Sequence, residues 1–322
     1  MKSLHQAVTG YLQLHRALGF KLDRNETRLR QFLRFMKGKQ ASRITTALAL
    51  EFATQVPNLD PQTKAHRLAV VRALARYCLT TDPATEIPPP GLLPVGVRRK
   101  APYLYSEAEV RRLLKGAMNY RMWQRFPGPG WGHFQAWTFY CIFGLLAVTG
   151  MRLGEVLDLQ PQDIDWTGRV LTIRKAKFGK SRLVPLHPSA LKALATFLKH
   201  RDRFFARRQP RCELSRFFVT SCGTRLRVTH VNRVFLRISR QIGLRAPQAR
   251  RGPRLHDLRH RFALETLRRW YLSGQDVERL LPLLSTYLGH THMTGTYWYL
   301  TCTPALMHAA GARLEHRWKG MR

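Results

Sequence analysis

The stretch LGHTHMTGTYWYL, residues 288–300, predicts the end of an apolar helix, a turn at Gly289, and then a tyrosine, Tyr299, near a histidine, His290. A phenol is a poor nucleophile at neutral pH, because its reference pKa is about 10. Placed among cations and directed at an electrophile, it can nevertheless form a covalent intermediate. The stretch therefore nominates Tyr299 as a nucleophile, and the cations it needs must come from earlier in the chain.

The charge of the chain indicates a polyanionic partner. The chain has 322 residues, 44% of them hydrophobic, and a formal net charge of +36. Such a length allows two domains with real cores, and the charge excess destabilises the folded chain unless a polyanion binds it. A membrane surface is the competing polyanion, but no basic amphipathic anchor stands out. Double-stranded DNA is the predicted partner.

Cysteine usage and the N-terminus predict a cytoplasmic protein, and with DNA as its partner it is expected to be associated with the nucleoid. The five cysteines are odd in number and have no paired spacing, which argues against a disulfide framework. The first residues lack the apolar core of a signal peptide. The apolar run Ala136–Val148 is too short to span a bilayer, so a buried helix is the better interpretation.

The pattern of apolar residues and prolines divides the chain into four regions. Residues 1–82 show helical periodicity with basic side chains between the apolar ones. Residues 83–102 are rich in proline and form a predicted linker. A larger domain follows at 103–302, and 303–322 predict a final helix that opens with a cap and a first-turn proline.

The larger domain is predicted to be mainly helical with a small sheet. Ser106 and Glu109 have the spacing of a capping box, and helices are expected near 188–207 and 229–242. Residues 163–186 contain short β-prone runs separated by glycine turns, which predicts a three-stranded antiparallel meander. Residues 119–132 are rich in Pro, Gly and Trp, and are interpreted either as a surface loop or as an added contact.

Two arginines are suited to hold a phosphate. Arg152 follows the apolar run, with Glu155 placed to orient it, and Arg259 lies in the motif His256-Asp257-Leu258-Arg259. Two guanidiniums can bind both non-bridging oxygens of one phosphate and stabilise the charge of a pentacoordinate transition state. Removing one such donor commonly costs on the order of a hundred- to a thousand-fold in rate.

The remaining groups supply proton transfer without a metal. Lys177, at a predicted hairpin tip, can protonate a leaving 5′ oxygen, and Lys180 is the other candidate. His256, three residues before Arg259, is placed to accept the phenolic proton, and His290 is a second donor to the phosphate. The sequence offers no carboxylate cluster suited to Mg²⁺, so neither a metal nor a cofactor is expected.

In the order and spacing of these motifs, the chain resembles the tyrosine recombinase (phage integrase) family. The matching blocks are 149–155, 177–186, 256–260 and 288–290 with Tyr299. The resemblance implies a two-domain C-shaped DNA clamp, with a helical core-binding domain and a catalytic domain with a small sheet. It further implies a 3′-phosphotyrosyl link, a free 5′ hydroxyl and no cofactor. Strand exchange is expected in a homotetramer with the final helix docked on a neighbour, and related recombinases are further candidate partners.

By the same resemblance, the catalytic residues are Arg152, Lys177, His256, Arg259, His290 and Tyr299. Tyr297 is the minority candidate for the nucleophile, since only the distance of Tyr299 from His290 matches the family. The residues expected to contact DNA are Arg24, Arg28, Arg98, Arg99, Lys100, Lys180, Arg182 and Arg254.

Some of these residues and the chain as a whole also have alternative interpretations. His260 is expected to be structural, and a zinc site at His290, His292 and Cys302 fits no standard spacing. The alternatives to a site-specific recombinase are a type IB topoisomerase, which shares the chemistry, and a non-catalytic DNA-binding protein. The last needs neither Tyr299 nor Lys177.

Overall fold

A computed structural model describes residues 2–20, 22–94, 101–120, 131–174, 181–206, 214–249, 251–290 and 292–300, with 307–308 and 311–312. The chain divides into two compact units, residues 1–100 and 101–322. Among the described residues, no helix is long and apolar enough to cross a membrane.

The described residues of the first unit form four helices: α1 (Lys2–Ala17), α2 (Asp23–Gly38), α3 (Thr46–Thr54) and α4 (Pro61–Cys78). Local signals set their starts. The Thr45 side chain accepts a hydrogen bond from the backbone N–H of Leu48, and Asp60 caps α4 in the same way ahead of a first-turn proline. Their apolar faces meet in one core, in which Leu29, Phe32, Phe52, Val71 and Leu74 are almost fully buried.

The proline-rich segment, predicted as a linker, begins as part of the first unit. Arg72 of α4 donates hydrogen bonds to the carbonyls of Pro88 (2.6 Å) and Pro89 (2.7 Å). The backbone N–H of Glu86 bonds to the carbonyl of Ile44 at 2.9 Å. Proline cannot continue a helix, but an extended segment leaves its carbonyls free for an arginine, and these contacts hold 83–94 against the helices.

The second unit is mainly helical and contains a small sheet, as predicted. Its elements in chain order are α5 (Glu107–Met118), α6 (Trp131–Thr149), α7 (Leu153–Asp158), a 3₁₀ turn (Pro161–Asp163), β1 (Ile164–Asp165), β2 (Val170–Ile173), β3 (Arg182–Pro185), α8 (Pro188–Ala206), α9 (Val228–Gln241), α10 (Leu255–Leu272), α11 (Val277–Leu288) and α12 (Thr294–Leu300). The predicted capping box of Ser106 and Glu109 is present at the start of α5.

Helix α6 lies at the centre of the second unit and confirms the buried helix predicted from its apolar run. It packs against α5, α8 and α10, and its side chains Phe139, Ile142 and Phe143 are at most 1% exposed. The polar Thr138 is accommodated because its hydroxyl donates to the carbonyl of Phe134 at 2.7 Å. A helix apolar on all sides is suited to this position.

The sheet is antiparallel in the order β1-β2-β3, which confirms the predicted meander. Leu171 pairs with Ile164 on one side and with Val184 on the other. These three side chains are buried, and the residues that alternate with them along the strands are partly or fully exposed. Strand β3 lies against α11, and this contact brings its first residue, Arg182, to the site described next.

Candidate active site

The turn between α6 and α7 places the first arginine. Gly150 has φ of +61°, and a Cβ there would lie 2.6 Å from Cδ1 of Phe262, so a glycine is required at this position. Arg152 follows as the N-cap of α7. Its backbone N–H bonds to Oε2 of Glu155 (2.9 Å) and its Nη1 bonds to Oε1 of the same carboxylate (2.8 Å).

Glu155 is shared between two arginines. Besides Arg152, it binds Arg182 of β3, whose Nη2 lies 2.7 Å from Oε2 and whose Nη1 lies 3.1 Å from Oε1. Burial alone would raise the pKa of the Glu155 carboxyl, but the hydrogen bonds and charge of Arg182, together with Arg152, lower that pKa below its usual value. Glu155 is therefore an anion that fixes the orientation of Arg152.

The C-terminal end of α11 is the second point of attachment for the arginines. Gly289 ends this helix in the left-handed conformation, with φ of +65°. Three successive carbonyls then accept hydrogen bonds: Tyr287 from Arg182 (2.7 Å), Leu288 from Arg259 (2.6 Å) and Gly289 from Arg152 (2.7 Å). Cations are favoured here, because the last carbonyls of a helix carry partial negative charge.

Arg259 lies on α10 and is 2% exposed. Its Nη1 donates to the carbonyl of Gly150 at 2.9 Å, so α6 and α11 hold the guanidinium from two sides. Burial, reinforced by the charge of Arg152, lowers the pKa of Arg259 to about 10, which leaves it protonated at neutral pH. Arg152 is more accessible, with 29% of its side chain exposed.

The start of α10 is fixed by a buried carboxylate and by the segment that precedes α5. Asp257 accepts hydrogen bonds from the backbone N–H (2.8 Å) and Nη2 (2.9 Å) of Arg254, the N-cap residue. The hydroxyl of Tyr105 donates to the carbonyl of Arg254 at 3.0 Å. Together these contacts fix the N-terminal end of α10, and with it the direction in which the side chains of His256 and Arg259 point.

Tyr299 and His290 meet beside the arginines. The ring of Tyr299 is nearly parallel to that of His290, with centroids 6.2 Å apart. Nδ1 of His290 is 2.7 Å from the hydroxyl oxygen of Thr296 on α12. Tyr299 is 2% exposed, whereas Tyr297 is 51% exposed at the surface. Of the two candidate tyrosines, the structure brings only Tyr299 into this cluster.

A histidine predicted to be structural contacts the tyrosine hydroxyl. Nδ1 of His260 lies 3.1 Å from the hydroxyl oxygen of Tyr299. The ring of His256, one helical turn earlier, stands perpendicular to His260 with a centroid separation of 4.8 Å. The expectation that His260 packs on Phe262 or caps a carbonyl is replaced by this contact. Its four-residue spacing from His256 puts both rings on one helix face, but nothing in the sequence points to the contact with Tyr299 on α12.

The three histidines of the site share a depressed pKa. Burial, with the charge of Arg259 second, lowers the pKa of His256, and burial with Arg259 and Arg152 lowers that of His290 to about 4. Burial and the neighbouring His256 lower the pKa of His260 to about 4. At neutral pH the imidazoles are therefore uncharged, and each can accept a proton on one ring nitrogen.

The predicted DNA contacts have different surroundings. Arg182, expected to contact DNA, has its side chain 8% exposed and bound to Glu155, because β3 runs under α11. Arg254 is two-thirds exposed and bound to Asp257. In the first unit, Arg24 is exposed and Arg28 contacts His66. Five of the predicted residues lie outside the described part of the chain: Arg98, Arg99, Lys100, Lys177 and Lys180.

Two other predictions fall largely outside the described residues. Of the final helix predicted at 303–322, only 307–308 and 311–312 are described, and Cys302 of the suggested zinc set is not. Within the described ranges, no group of three or more His, Cys, Asp and Glu side chains is arranged to hold a metal ion. Residues 121–130 of the Pro-Gly-Trp insert are not described either.

The fold and the cluster of Tyr299 with arginines and histidines define an enzyme class, and comparison with known proteins identifies it. The chain belongs to the phage integrase family, whose model matches residues 109–305 in the second unit. It is a tyrosine-type site-specific recombinase.

Relatives along the whole length support this assignment. The chain is 47% identical over 319 residues to a protein of Sinorhizobium fredii (strain NBRC 101917 / NGR234) named as an integrase/recombinase, y4rB, with 99% of each chain covered. It is 30% identical over 252 residues to the tyrosine recombinase XerC of Chlorobaculum tepidum, with 76% of this chain and 70% of that protein covered.

Solved structures share the fold at low sequence identity. The XerH site-specific recombinase, in a post-cleavage complex with palindromic difH substrate, has a TM-score of 0.63 at 20% identity, with 90% of this chain and 78% of that chain covered. The Tn1549 transposon integrase in complex with transposon right-end DNA has a TM-score of 0.63 at 16% identity, with 96% and 98% covered.

Proposed function

We propose that the protein cleaves and rejoins double-stranded DNA at specific sites through a 3′-phosphotyrosyl intermediate formed by Tyr299. The phenolic oxygen attacks the scissile phosphorus, the bond to the 5′ oxygen breaks, and that oxygen leaves as a hydroxyl after gaining a proton. Because the phosphodiester is exchanged rather than hydrolysed, a 5′ hydroxyl can reverse the step and rejoin the strand. The reaction needs no cofactor and no metal ion.

One observation carries this proposal: a buried tyrosine shares a cluster with two arginines that converge from α7 and α10. Each guanidinium uses its Nη atoms on a carboxylate or carbonyls and still has further N–H groups, since a guanidinium has five. Arg152 is the more exposed of the pair and binds the incoming phosphate. Arg259 is buried beside it and contributes its positive charge. Both stabilise the negative charge that builds in the transition state.

Proton transfer is assigned to the groups that the sequence nominated. His256 is the general base that receives the phenolic proton, since its lowered pKa leaves it uncharged at neutral pH. His290 donates a hydrogen bond to the phosphate, and its orientation is fixed by Thr296. Lys177 protonates the leaving 5′ oxygen. Lys180 is the alternative acid from the same segment.

DNA as the substrate is supported by charge and by the relatives. The net charge of +36 must be balanced by a polyanion, and the similar XerH and Tn1549 structures are complexes with DNA. We extend the proposal to the expected assembly: both units clamp the duplex, and a homotetramer forms through residues 303–322, with related recombinases as further partners. We propose that the protein acts on DNA in the nucleoid, in integration or transposition.

Covalent capture in cells tests the proposal and finds the DNA site in the same experiment. The chain is expressed, cells are lysed in denaturing detergent, and DNA attached to protein is recovered and sequenced. The wild type should yield DNA that ends at a defined sequence, with the peptide link at Tyr299 found by mass spectrometry. Tyr299→Phe should yield none, while the matched surface variant Tyr297→Phe should behave as the wild type.

The outcomes also separate the rival functions. Adducts at unrelated sequences, together with relaxation of any supercoiled plasmid, would indicate a type IB topoisomerase. DNA binding without an adduct in the wild type would indicate a non-catalytic DNA-binding protein. An adduct that survives in Tyr299→Phe and disappears in Tyr297→Phe would move the nucleophile to the exposed tyrosine.

A further inference from the structure

The second histidine of α10 has no role in the chemistry proposed above, yet it touches the reacting atom. His260 Nδ1 is 3.1 Å from the Tyr299 hydroxyl, and the ring of Trp298 packs against the imidazole at a centroid distance of 5.3 Å and an angle of 67°. His256 covers another side of the ring, edge to face. The imidazole is thus held by α10 and α12 together, with one nitrogen directed at the phenol.

The charge state of His260 decides the direction of this hydrogen bond. Burial and the proximity of His256 keep its pKa near 4, so the ring is uncharged at neutral pH. A neutral imidazole accepts at one nitrogen and donates at the other. The phenolic O–H is the stronger donor of the pair, so Nδ1 is the acceptor and the proton of the ring resides on Nε2.

We propose that His260 is a positioning residue for the nucleophile: in the free enzyme its Nδ1 accepts the Tyr299 O–H and fixes the direction of the phenolic oxygen, and the proton passes to His256 only when that oxygen attacks. This inference rests on the proposed function of Tyr299. Helix α12 has seven residues and supports the tyrosine only weakly by itself. The contact with α10 links the nucleophile to the same helix that carries Arg259, so that attacking oxygen and phosphate-binding group share one rigid support.

The arrangement explains why a polar ring occupies this position. Side chains that only fill space beside Trp298 and Tyr299 need no hydrogen-bond acceptor, and a half-buried imidazole is costly to desolvate. A hydrogen bond to the attacking oxygen accounts for a polar ring here despite its desolvation cost. Misplacing a reacting atom by about 1 Å can lower a rate about a hundredfold.

Two substitutions at His260 separate positioning from packing. In His260→Asn the side-chain amide oxygen takes nearly the position of Nδ1, so the acceptor is retained. In His260→Leu the volume is kept and the acceptor is lost. Trp298→Phe, which thins the packing on the same ring and leaves the acceptor in place, is the matched control. Folding of each variant is checked by thermal denaturation.

The kinetic readout is the single-turnover rate of adduct formation on a nicked DNA carrying the sequence captured from cells. His260→Leu should form the adduct about 10- to 100-fold more slowly, with unchanged DNA affinity. His260→Asn and Trp298→Phe should stay within about threefold of the wild type, since the acceptor persists in both. The inference would be overturned if His260→Leu formed the adduct as fast as the wild type or faster. It would also be overturned if His260→Asn were as slow as His260→Leu.

A spectroscopic readout needs no DNA. The ¹⁵N chemical shift of His260 Nδ1 in the free protein reports whether this nitrogen is an unprotonated acceptor. Tyr299→Phe should move that shift, and an unmoved shift would also overturn the inference. The proposed function fails separately, if the wild type forms no adduct at all. If the wild type forms the adduct and His260→Leu forms it equally well, only the positioning role fails.

Discussion

The guanidinium of Arg182 lies against the carboxylate of Glu155, with Nη2 2.7 Å from Oε2 and both side chains less than 10% exposed. The same carboxylate holds Arg152 from its other side. Since Arg182 also bonds to the carbonyl of Tyr287, strand β3 braces Glu155 and the end of α11 at once. The orientation of Arg152 therefore depends on a residue that itself stays away from the surface.

Replacing one member of this buried pair should lower the free energy of unfolding more than replacing both members together. Arg182→Met leaves Glu155 with an uncompensated part of its charge, and we expect a loss of about 3–5 kcal/mol in the free energy of unfolding. The double variant Glu155→Gln, Arg182→Met removes both charges and should recover part of that loss. Urea denaturation of the wild type, the single variants and the double variant measures the coupling. Additive losses would show that the pair is not a unit.

The two arginines proposed to bind the phosphate, Arg152 and Arg259, should matter for cleavage far more than for DNA affinity. Arg152→Lys and Arg259→Lys keep the charge but lose the forked geometry, and adduct formation should fall on the order of a hundred- to a thousand-fold. DNA affinity should change only slightly, because many other cations share the backbone contacts. The rate is measured with nicked DNA and the affinity by titration.

The control for these variants is Arg269→Lys on the same helix as Arg259. Arg269 is largely exposed and pairs with Glu265 on the surface of α10. Its replacement should leave both rate and affinity unchanged. A loss of affinity equal to the loss of rate in Arg259→Lys would mean that the arginine binds DNA without favouring the transition state.

The turn at Gly150 should tolerate no side chain. A Cβ at this position would meet Phe262 at 2.6 Å, in a backbone conformation that strains other residues. Gly150→Ala should therefore lower the free energy of unfolding by more than about 1 kcal/mol. It should also disturb Arg259, which binds the carbonyl of this glycine.

Gly154 provides the matched comparison, because it lies inside α7 and a Cβ there meets nothing within 4 Å. Gly154→Ala should be neutral or stabilising by up to about 1 kcal/mol, since alanine favours the helix. Thermal or urea denaturation of the two variants decides the point. Equal stability of both would contradict the close approach of Phe262.

The elements that could be predicted from the sequence are those with local causes. The capping box at Ser106, the apolar run of α6 and the short β-prone runs of the sheet each act over a few residues. The structure confirms the capping box, the buried helix and the three-stranded order. The arginines and histidines of the site could be named because motifs of the family place them. Their meeting with Tyr299 could be expected from the resemblance, not from periodicity.

What the sequence did not reveal depends on distant contacts. Arg182 is predicted to contact DNA, and nothing local in the sequence shows that β3 lies against α11. Composition predicts residues 83–102 as a linker, and it gives no sign that Arg72 binds the carbonyls of Pro88 and Pro89. For His260, the sequence shows its neighbour His256 on the same helix face but does not show its hydrogen-bond partner on α12.

The histidines of the site should make the stability of the free enzyme depend on pH. His256, His260 and His290 have pKa values below the unfolded value of about 6.5, and those of His260 and His290 lie at about 4. The unfolded chain therefore binds more protons than the folded chain between these values. Stability is full above pH 6.5 and is lost as the pH falls towards 4.

Urea denaturation between pH 7 and pH 5 measures this effect without a contribution from Glu155, whose lowered pKa keeps it ionised over that range. The wild type should lose stability steadily as the pH falls, and His66, His200 and His230, whose pKa values are also lowered by burial, add to the slope. His260→Asn removes one proton-binding group from the unfolded chain, so its slope should be shallower. A slope identical to that of the wild type would mean that His260 is protonated in the folded enzyme, and the acceptor role of its Nδ1 towards Tyr299 would fall with it.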